Sequence, residues 1–409
     1  MNRKQRRAKQ KDRQPSSPAG TVDARDPIAL HSAGIEAYRA GRLDMAAELI
    51  AKAIGANGHL PEFHYNLAIV LRAQGKLKEA AASYERAILL KPDYADAHNN
   101  LGNVWKTLGK RDEALACFER ALLWRPGNAD THYNLGILCS DSGDRDEAAR
   151  HFQRCLDLDS DDSLGAGMLL AHLGLAIVPE RTPQAQLLNI YDVRSRFWDR
   201  ESTYFGHALV AEGLRKHAGA ADLDILDIGC GTGLVGAQVR SLAGRLDGID
   251  ITPAMLEKAR DKKIYDRLDQ ADLVAFMSEH RGGYDAILGA ATLIHFGNLQ
   301  AVFQAAAMCL RDQGLFVFTL FSHEDDRADF AVASNDKLAR SGCYTHGADY
   351  VERLALECGF SLKALKKAVH EHDQNGNPIP GLLVVLRRGE QGSSSGSITG
   401  NTKPGARHD

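Results

Sequence analysis

Between Pro27 and Asp162 the sequence repeats itself every 34 residues, and that period constrains the fold more than any other feature of the chain. A unit this short cannot bury its apolar face alone, so each must stack on the next in a one-dimensional array. Aligned on the period, Gly41, Gly75, Gly109 and Gly143 share a column, and Ala46, Ala80, Ala114 and Ala148 share another. Ile50, Tyr84, Phe118 and Phe152 form a third column; Ala53, Ala87, Ala121 and Cys155 form a fourth. Pro92 and Pro126 close the second and third units. The glycine divides each unit into two helices, the small residues let those helices approach, and the bulky column fills the space between units. The expected units are 27–60, 61–94, 95–128 and 129–162, the first being the most degenerate (Leu30, Ala33, Gly34), as an end cap should be. Ser163 to Ile177 reads as a last helix closing the stack before Pro179 and Pro183, which puts the all-helical domain at 27–178.

These columns resemble the tetratricopeptide repeat, and the resemblance implies a concave groove lined by the first helix of each unit. Asn66, Asn100 and Asn134 recur on that helix. A row of amides can bond a peptide backbone through donor and acceptor together, without reading its side chains. The row is similar to the asparagine ladder in the repeats of the O-linked N-acetylglucosamine transferase, which implies a peptide or protein partner. The competing reading is a set of helix-surface amides that bond only their neighbours.

A second constraint lies at Asp224-Ile225-Leu226-Asp227-Ile228-Gly229-Cys230-Gly231-Thr232-Gly233. Its first half is a short strand-forming run, its second half has glycine at every other position, and Leu234 to Leu242 follows as a helix. Strand, glycine turn and helix make a loop that cradles a phosphate or a nucleoside at the end of a parallel strand. Two registers compete. Gly231-x-Gly233-x-x-Gly236 fits a dinucleotide fingerprint, with Asp250 about 20 residues on. In that fingerprint the first glycine should end the strand, whereas here Gly229 ends it two residues earlier, and Asp227 has no job in pyrophosphate binding. The other register, Asp227-x-Gly229-x-Gly231-x-Gly233, resembles motif I of class I S-adenosylmethionine-dependent methyltransferases. That resemblance implies that backbone around Gly229 and Gly231 lines the methionine part of the cofactor, with Asp227 in the same site.

The remaining segments follow the same pattern. Arg245 to Asp250 reads as a strand ending in an acid, and Thr252 with Pro253 starts a helix. An aspartate at that strand end can accept bonds from both ribose hydroxyls, with Ile251 and Met255 beside it. Asp272 and Leu273 match the pair that contacts adenine in this superfamily, and Ala290, after the strand Tyr284 to Gly289, is the remaining cofactor position. Relatives usually carry an acid where Ala291 stands. Gly314 to Phe321 is apolar throughout, as a parallel strand buried on both faces should be. Ser361 to Val369 and Leu382 to Arg388 complete a seven-stranded Rossmann-like sheet ending in a strand pair. The expected architecture is an all-α solenoid followed by an α/β methyltransferase domain over 179–388.

Gln184 to Leu214 reads as a helix that lids the cofactor. Its Tyr191 and Trp198 either offer a π face to the sulfonium, an attraction of about 1–2 kcal/mol when desolvated, or pack on an apolar stripe. The segment Ser341 to His346 resembles the stretch that passes over the acceptor pocket in predicted bacterial methyltransferases fused to tetratricopeptide repeats. Tyr344 and His346 are therefore the first candidates for acid–base work, and His295 is a further one.

Composition bounds the rest. A net charge of −3 gives no pull toward nucleic acid or membrane, and no apolar run approaches the ~18–20 residues of a membrane span. Seven cysteines without a Cys-x-x-Cys pair fit core thiols in a reducing compartment, and the expected location is cytoplasmic. No metal-ligand spacing stands out. Residues 1–26 form a basic arm with seven Lys or Arg in the first 14, and 389–409 form a Gly/Ser-rich tail; both read as disordered. The expected function is S-adenosylmethionine-dependent methyl transfer by in-line displacement to an unidentified small-molecule or protein acceptor, with the repeats as a partner-binding module. The alternative is a repeat adaptor whose second domain senses the cofactor without catalysis.

Overall fold

The computed structural model describes residues 26–195, 198–200, 204–219, 221–323, 328–373 and 376–390. The basic arm through Arg25 and the tail from Gln391 lie outside the described residues. The chain divides into two compact units, Met1–Leu158 and Asp159–Asp409.

The first unit holds four helix pairs: α1 (Pro27–Arg39) with α2 (Leu43–Ala56), α3 (Pro61–Ala73) with α4 (Leu77–Leu90), α5 (Ala95–Thr107) with α6 (Arg111–Trp124), and α7 (Ala129–Ser140) with α8 (Arg145–Leu158). Gly41, Gly75, Gly109 and Gly143 turn each pair with φ between 73° and 79°, a conformation only glycine enters without strain. One further column sits on the first helices: Gly34, Ala68, Gly102 and Gly136. A Cβ on Gly102 would meet the Phe118 ring at 2.6 Å, and one on Gly136 the Phe152 ring at 2.5 Å. The bulky residue therefore closes its own helix pair, as well as the gap to the next unit where Phe118 packs with Leu135 and Leu138. Burying such a side chain contributes about 1.5–3 kcal/mol.

The expected closing helix spans only Ala166–His172 and belongs to the second unit. There the Tyr344 hydroxyl oxygen lies 3.2 Å from the Met168 sulfur, and Met168 is fully buried. The apolar face of this helix is thus committed to the α/β unit.

In the second unit the strands are β1 (Leu223–Ile228), β2 (Ala243–Asp250), β3 (Arg267–Gln270), β4 (Tyr284–Gly289), β5 (Leu310–Ser322), β6 (Phe330–Val332), β7 (Tyr344–His346), β8 (Phe360–His372) and β9 (Pro378–Arg388). The main sheet runs β3-β2-β1-β4-β5-β9-β8, parallel through β5 and antiparallel beyond it. This is the seven-stranded order with a terminal pair. The short β7 joins the end of β5 at Phe321 and Ser322, with β6 antiparallel to it. Alternate residues sort to opposite faces. Ile225, Ala286 and Leu288 pack with the helices Gly206–His217 and Leu234–Val239; Leu226, Ile287 and Phe316 pack with Leu273–Glu279, Gln300–Cys309 and Ala348–Glu357. Chain order reverses between β1 and β4, and a crevice opens there at the carboxyl ends of the strands.

Candidate functional site

The crevice is built around the turn that leaves β1. Gly229 and Gly231 take φ of 61° and 55°, and Gly233 takes 89°. The place of a Gly229 Cβ is taken by Thr292, whose hydroxyl donates to the Ile228 carbonyl at 3.0 Å. Nothing lies within 4 Å of where a Gly231 Cβ would stand, so the turn is open there toward the pocket.

Three glycines instead surround one ring. Cβ atoms on Gly233, Gly236 and Gly248 would approach Tyr265 at 3.1, 2.4 and 2.9 Å. The Tyr265 hydroxyl donates to Asp227 Oδ2 at 2.7 Å. Asp227 is 1% exposed and lies beneath the turn, not in the pocket wall where the motif resemblance would put it. Burial pushes its carboxyl up to about 7, against the lowering pull of the tyrosine bond. Gly236, which completes the dinucleotide spacing, is accounted for by the Tyr265 ring alone.

The pocket holds about 1000 Å³ of non-protein space, the open solvent at its mouth included. Gly229, Gly231, Asp250 and Ile251 line it, as do Met255, Asp272, Leu273 and Ala290. Asp250 Oδ2 accepts the Gly231 N–H at 2.9 Å and Oδ1 accepts the Thr252 N–H at 2.8 Å, so the acid fastens β2 to the turn. Burial raises its carboxyl and those two bonds oppose the rise. Asp272 caps the helix Leu273–Glu279 through Val274 and Ala275, and also binds Arg181 at 3.0 Å. Arg181 lines the pocket and carries no motif that would have marked it.

The segment expected to lid the cofactor is not one helix. It breaks into Gln184–Arg194, a 3₁₀ turn at Trp198–Arg200 and Gly206–His217. The break brings Trp198 edge-on to Tyr191 at 5.7 Å, and both line the pocket with Tyr204 and His207. Asp199 accepts from Thr232 and pairs with Lys262 at 3.0 Å, tying the lid to the glycine turn.

His295 lies in the pocket wall, in the 3₁₀ turn Leu293–His295. Its Nδ1 lies 3.0 Å from the Gly342 carbonyl, which only accepts, so Nδ1 carries the proton. Nε2 is then the acceptor for the Tyr191 hydroxyl at 2.7 Å. Burial lowers this imidazole to about 4 despite the Gly342 bond, so it is neutral near pH 7.

Tyr344 and His346, the leading acid–base candidates by residue type and position, do not reach the pocket. Both are fully buried in β7: Tyr344 donates to the Pro179 carbonyl at 2.8 Å, and His346 Nε2 to those of Phe296 at 2.8 Å and Gly297 at 3.1 Å. Their segment serves the site indirectly, since it supplies the Gly342 carbonyl that orients His295. Ala291, where relatives carry an acid, lines the pocket with a φ of 56°, unusual for alanine, and donates its N–H to Thr319 at 3.1 Å.

In the repeats, Asn66 donates to His31 Nε2 at 2.9 Å, Asn100 to the Tyr65 hydroxyl at 2.9 Å and Asn134 to Asn99 Oδ1 at 3.1 Å. Each amide thus reaches the first helix of the preceding unit. A second column lies on the same 34-residue period: His64, His98 and His132 donate from Nε2 to the carbonyls of Gly58, Pro92 and Pro126 at 2.9–3.1 Å.

Comparison with known proteins follows the same division. Residues 226–316 match the family described as methyltransferase domain, residues 70–109 that described as TPR repeat, and residues 93–161 that described as tetratricopeptide repeat. A malonyl-[acyl-carrier protein] O-methyltransferase of Acetivibrio thermocellus is 34% identical over 103 residues, covering 25% of this chain and 36% of the relative. A ubiquinone biosynthesis O-methyltransferase of Nitrosococcus oceani is 28% identical over 145 residues, covering 34% of this chain and 61% of the relative. The chain therefore spans less than two thirds of the length of either. Among solved structures, a SAM-dependent methyltransferase from Methanosarcina mazei aligns with a TM-score of 0.35 at 14% identity, covering 43% of this chain and 96% of that one.

Proposed function

From a chain that carries tetratricopeptide repeats followed by a methyltransferase domain, we propose S-adenosylmethionine-dependent methyl transfer to an oxygen acceptor, with the repeats holding a peptide or protein partner. The observation that carries this reading is the open glycine turn at Gly231 fastened to a buried acid at the end of the next strand. These residues fit the cofactor. The Asp250 oxygens keep lone pairs for sugar hydroxyls beyond the two N–H bonds they accept, and Ile251, Met255 and Leu273 offer apolar walls for a base. Asp272 sits at the same wall with one carboxylate oxygen on Arg181 and the other on the helix cap.

When bound, the cofactor supplies an electrophilic methyl carbon on a sulfonium and a neutral thioether as leaving group. The chain's own tasks are then to orient the acceptor, exclude water and handle a proton; orientation alone is worth up to about 7–11 kcal/mol. The lid residues Tyr191 and Trp198 close the pocket, and His295 is the neutral base within it. Oxygen as the accepting atom is supported by the two relatives, both O-methyltransferases by name. A partner in the groove is supported by the repeat matches, with the carbonyl oxygens of Asn66, Asn100 and Asn134 as acceptors. A cytoplasmic location is supported by seven cysteines of which none is in a disulfide. No helix among the described residues is long and apolar enough to cross a membrane.

Thermal unfolding with S-adenosylhomocysteine or NAD separates this reading from a nicotinamide enzyme. The first ligand should raise Tm by mass action and the second should not. An unmoved Tm at millimolar S-adenosylhomocysteine would overturn the proposal.

A further inference from the structure

The pocket lining is of two chemistries. One part is glycine turn, acid and aliphatic wall: Gly231, Asp250, Ile251 and Leu273. The other is a wall of rings in unbroken contact. His295 meets Tyr191 at 5.6 Å and 85°, and Tyr191 meets Trp198 at 5.7 Å and 70°. Trp198 then meets Tyr204 at 5.6 Å and 49°, and Tyr204 meets His207 at 5.3 Å and 39°. All five line the same cavity. Rings tilted against one another in this way present both faces and edges, and a flat aromatic guest extends such a cluster by the same contacts. A flexible aliphatic chain would bury area there without that geometry.

The polar group in the ring wall is poised to take a proton. The Tyr191 hydroxyl hydrogen is committed to His295 Nε2, so the oxygen of this pocket-lining residue keeps lone pairs with which to accept. The His295 Nδ1 hydrogen is fixed on Gly342, which leaves Nε2 as the basic atom of the pair. An acceptor that brings an O–H can donate to the Tyr191 oxygen. A carboxylate brings no proton and would place its charge against an acceptor.

Resting on the cofactor reading above, we propose that the methyl acceptor is a planar ring bearing a hydroxyl, a phenol or an enol, which stacks in the ring wall and loses its proton through Tyr191 to His295. The acceptor O–H bond breaks, its proton passes to the Tyr191 oxygen, and the tyrosine's own proton passes to His295 Nε2. An oxygen lone pair forms the new bond to carbon in the same step, which makes the departing proton acidic enough for an imidazole lowered to about 4 to take it. The pair of the carbon–sulfur bond that breaks stays on sulfur, and the imidazolium returns its proton to water once product has left.

The test uses the full chain saturated with S-adenosylhomocysteine and titrates catechol, hexanoate and Nα-acetyl-lysine by calorimetry. Catechol should bind at least 10-fold more tightly than either of the others, and with S-adenosylmethionine it should take up labelled methyl. Tyr191→Phe and His295→Gln should each lower that transfer at least 100-fold while S-adenosylhomocysteine affinity stays within about threefold. Should S-adenosylhomocysteine bind while catechol binds no better than hexanoate or acetyl-lysine, the acceptor assignment is wrong and the cofactor reading stands. Should S-adenosylhomocysteine itself not bind, both fall together. The binding comparison needs only the natural chain, so it decides the matter even where a variant fails to fold.

Discussion

Both halves of this chain set small residues against one bulky side chain, yet they do so to different ends. In the repeats the joint is made four times with interchangeable parts: Gly34 against Ile50, Gly102 against Phe118 and Gly136 against Phe152, while the second repeat has Ala68 in the cluster with Tyr84. In the α/β unit the joint under the turn takes three glycines at once, Gly233, Gly236 and Gly248 around Tyr265, and the ring's hydroxyl reaches the buried Asp227 there. A repeated joint can vary because a helix can shift by a few tenths of an ångström. The single joint fixes the backbone on which a ligand would rest. Energy is spread along the first half and concentrated in the second.

The largest expected effect breaks the concentrated half. Asp250→Ala removes the acceptor for both the Gly231 and Thr252 N–H groups as well as the acid itself. S-adenosylhomocysteine affinity measured by calorimetry should fall at least 100-fold, about 2.7 kcal/mol. Asp250→Asn, which keeps one acceptor, should lose less. Equal affinities in all three proteins would detach the acid from the site.

Acid should separate the halves next. His295, His346 and His370 of the α/β unit are each lowered by burial to about 4. The unfolded chain binds those protons near 6.5, so the stabilisation is present above that pH and is lost as pH falls toward 4. Each is worth at most on the order of 3 kcal/mol. Asp227, raised to about 7 by burial, has the opposite sign: its contribution is present at low pH and lost as pH rises through 7. Hydrogen exchange resolved by peptide should show protection falling between pH 6.5 and 4.5 more steeply in the α/β unit than in the repeats. A parallel fall in both units would contradict the burial argument.

Matched substitutions sharpen the same contrast. Gly236→Ala would set a methyl 2.4 Å from the Tyr265 oxygen and should cost about 1–3 kcal/mol in urea unfolding, with weaker ligand binding. Gly102→Ala sets one 2.6 Å from the Phe118 ring but gains helix propensity of about 1 kcal/mol, and the Ala68–Tyr84 repeat already tolerates the extra methyl. Its net change should stay within about 1 kcal/mol and leave ligand binding alone.

What the sequence disclosed follows this division. The turn glycines at 41, 75, 109 and 143 and the strand–turn–helix at Asp227 were legible because their geometry is local: each depends on a handful of consecutive residues. Tyr265 was not, since its fit is set by glycines of the turn, of the helix after it and of β2, and no spacing links them to the ring. Asp227 misled for the same reason, its partner lying 38 residues away. Tyr344 and His346 looked reactive by residue type, whereas the short strand that buries them is fixed by pairing with β5 and β6, far away in sequence from any motif. The segment 163–177 carried a helix signal, but which unit claims its apolar face depends on Met168 meeting Tyr344 across 176 residues.

The smallest expected effect tests whether the amide row of the repeats is a brace, a recognition surface, or both. Asn100 gives one N–H to the Tyr65 hydroxyl at 2.9 Å, a half-buried bond worth about 0.5–1.5 kcal/mol. Asn100→Ala should therefore lower stability by no more than that and leave S-adenosylhomocysteine affinity unchanged. Tyr65→Phe removes the same brace but keeps the amide. If the row also holds a peptide backbone through its carbonyl oxygens, Asn100→Ala should weaken partner binding several-fold while Tyr65→Phe should not. If the two variants weaken it equally, the row acts only by holding the helices in place, and the recognising surface lies elsewhere in the groove.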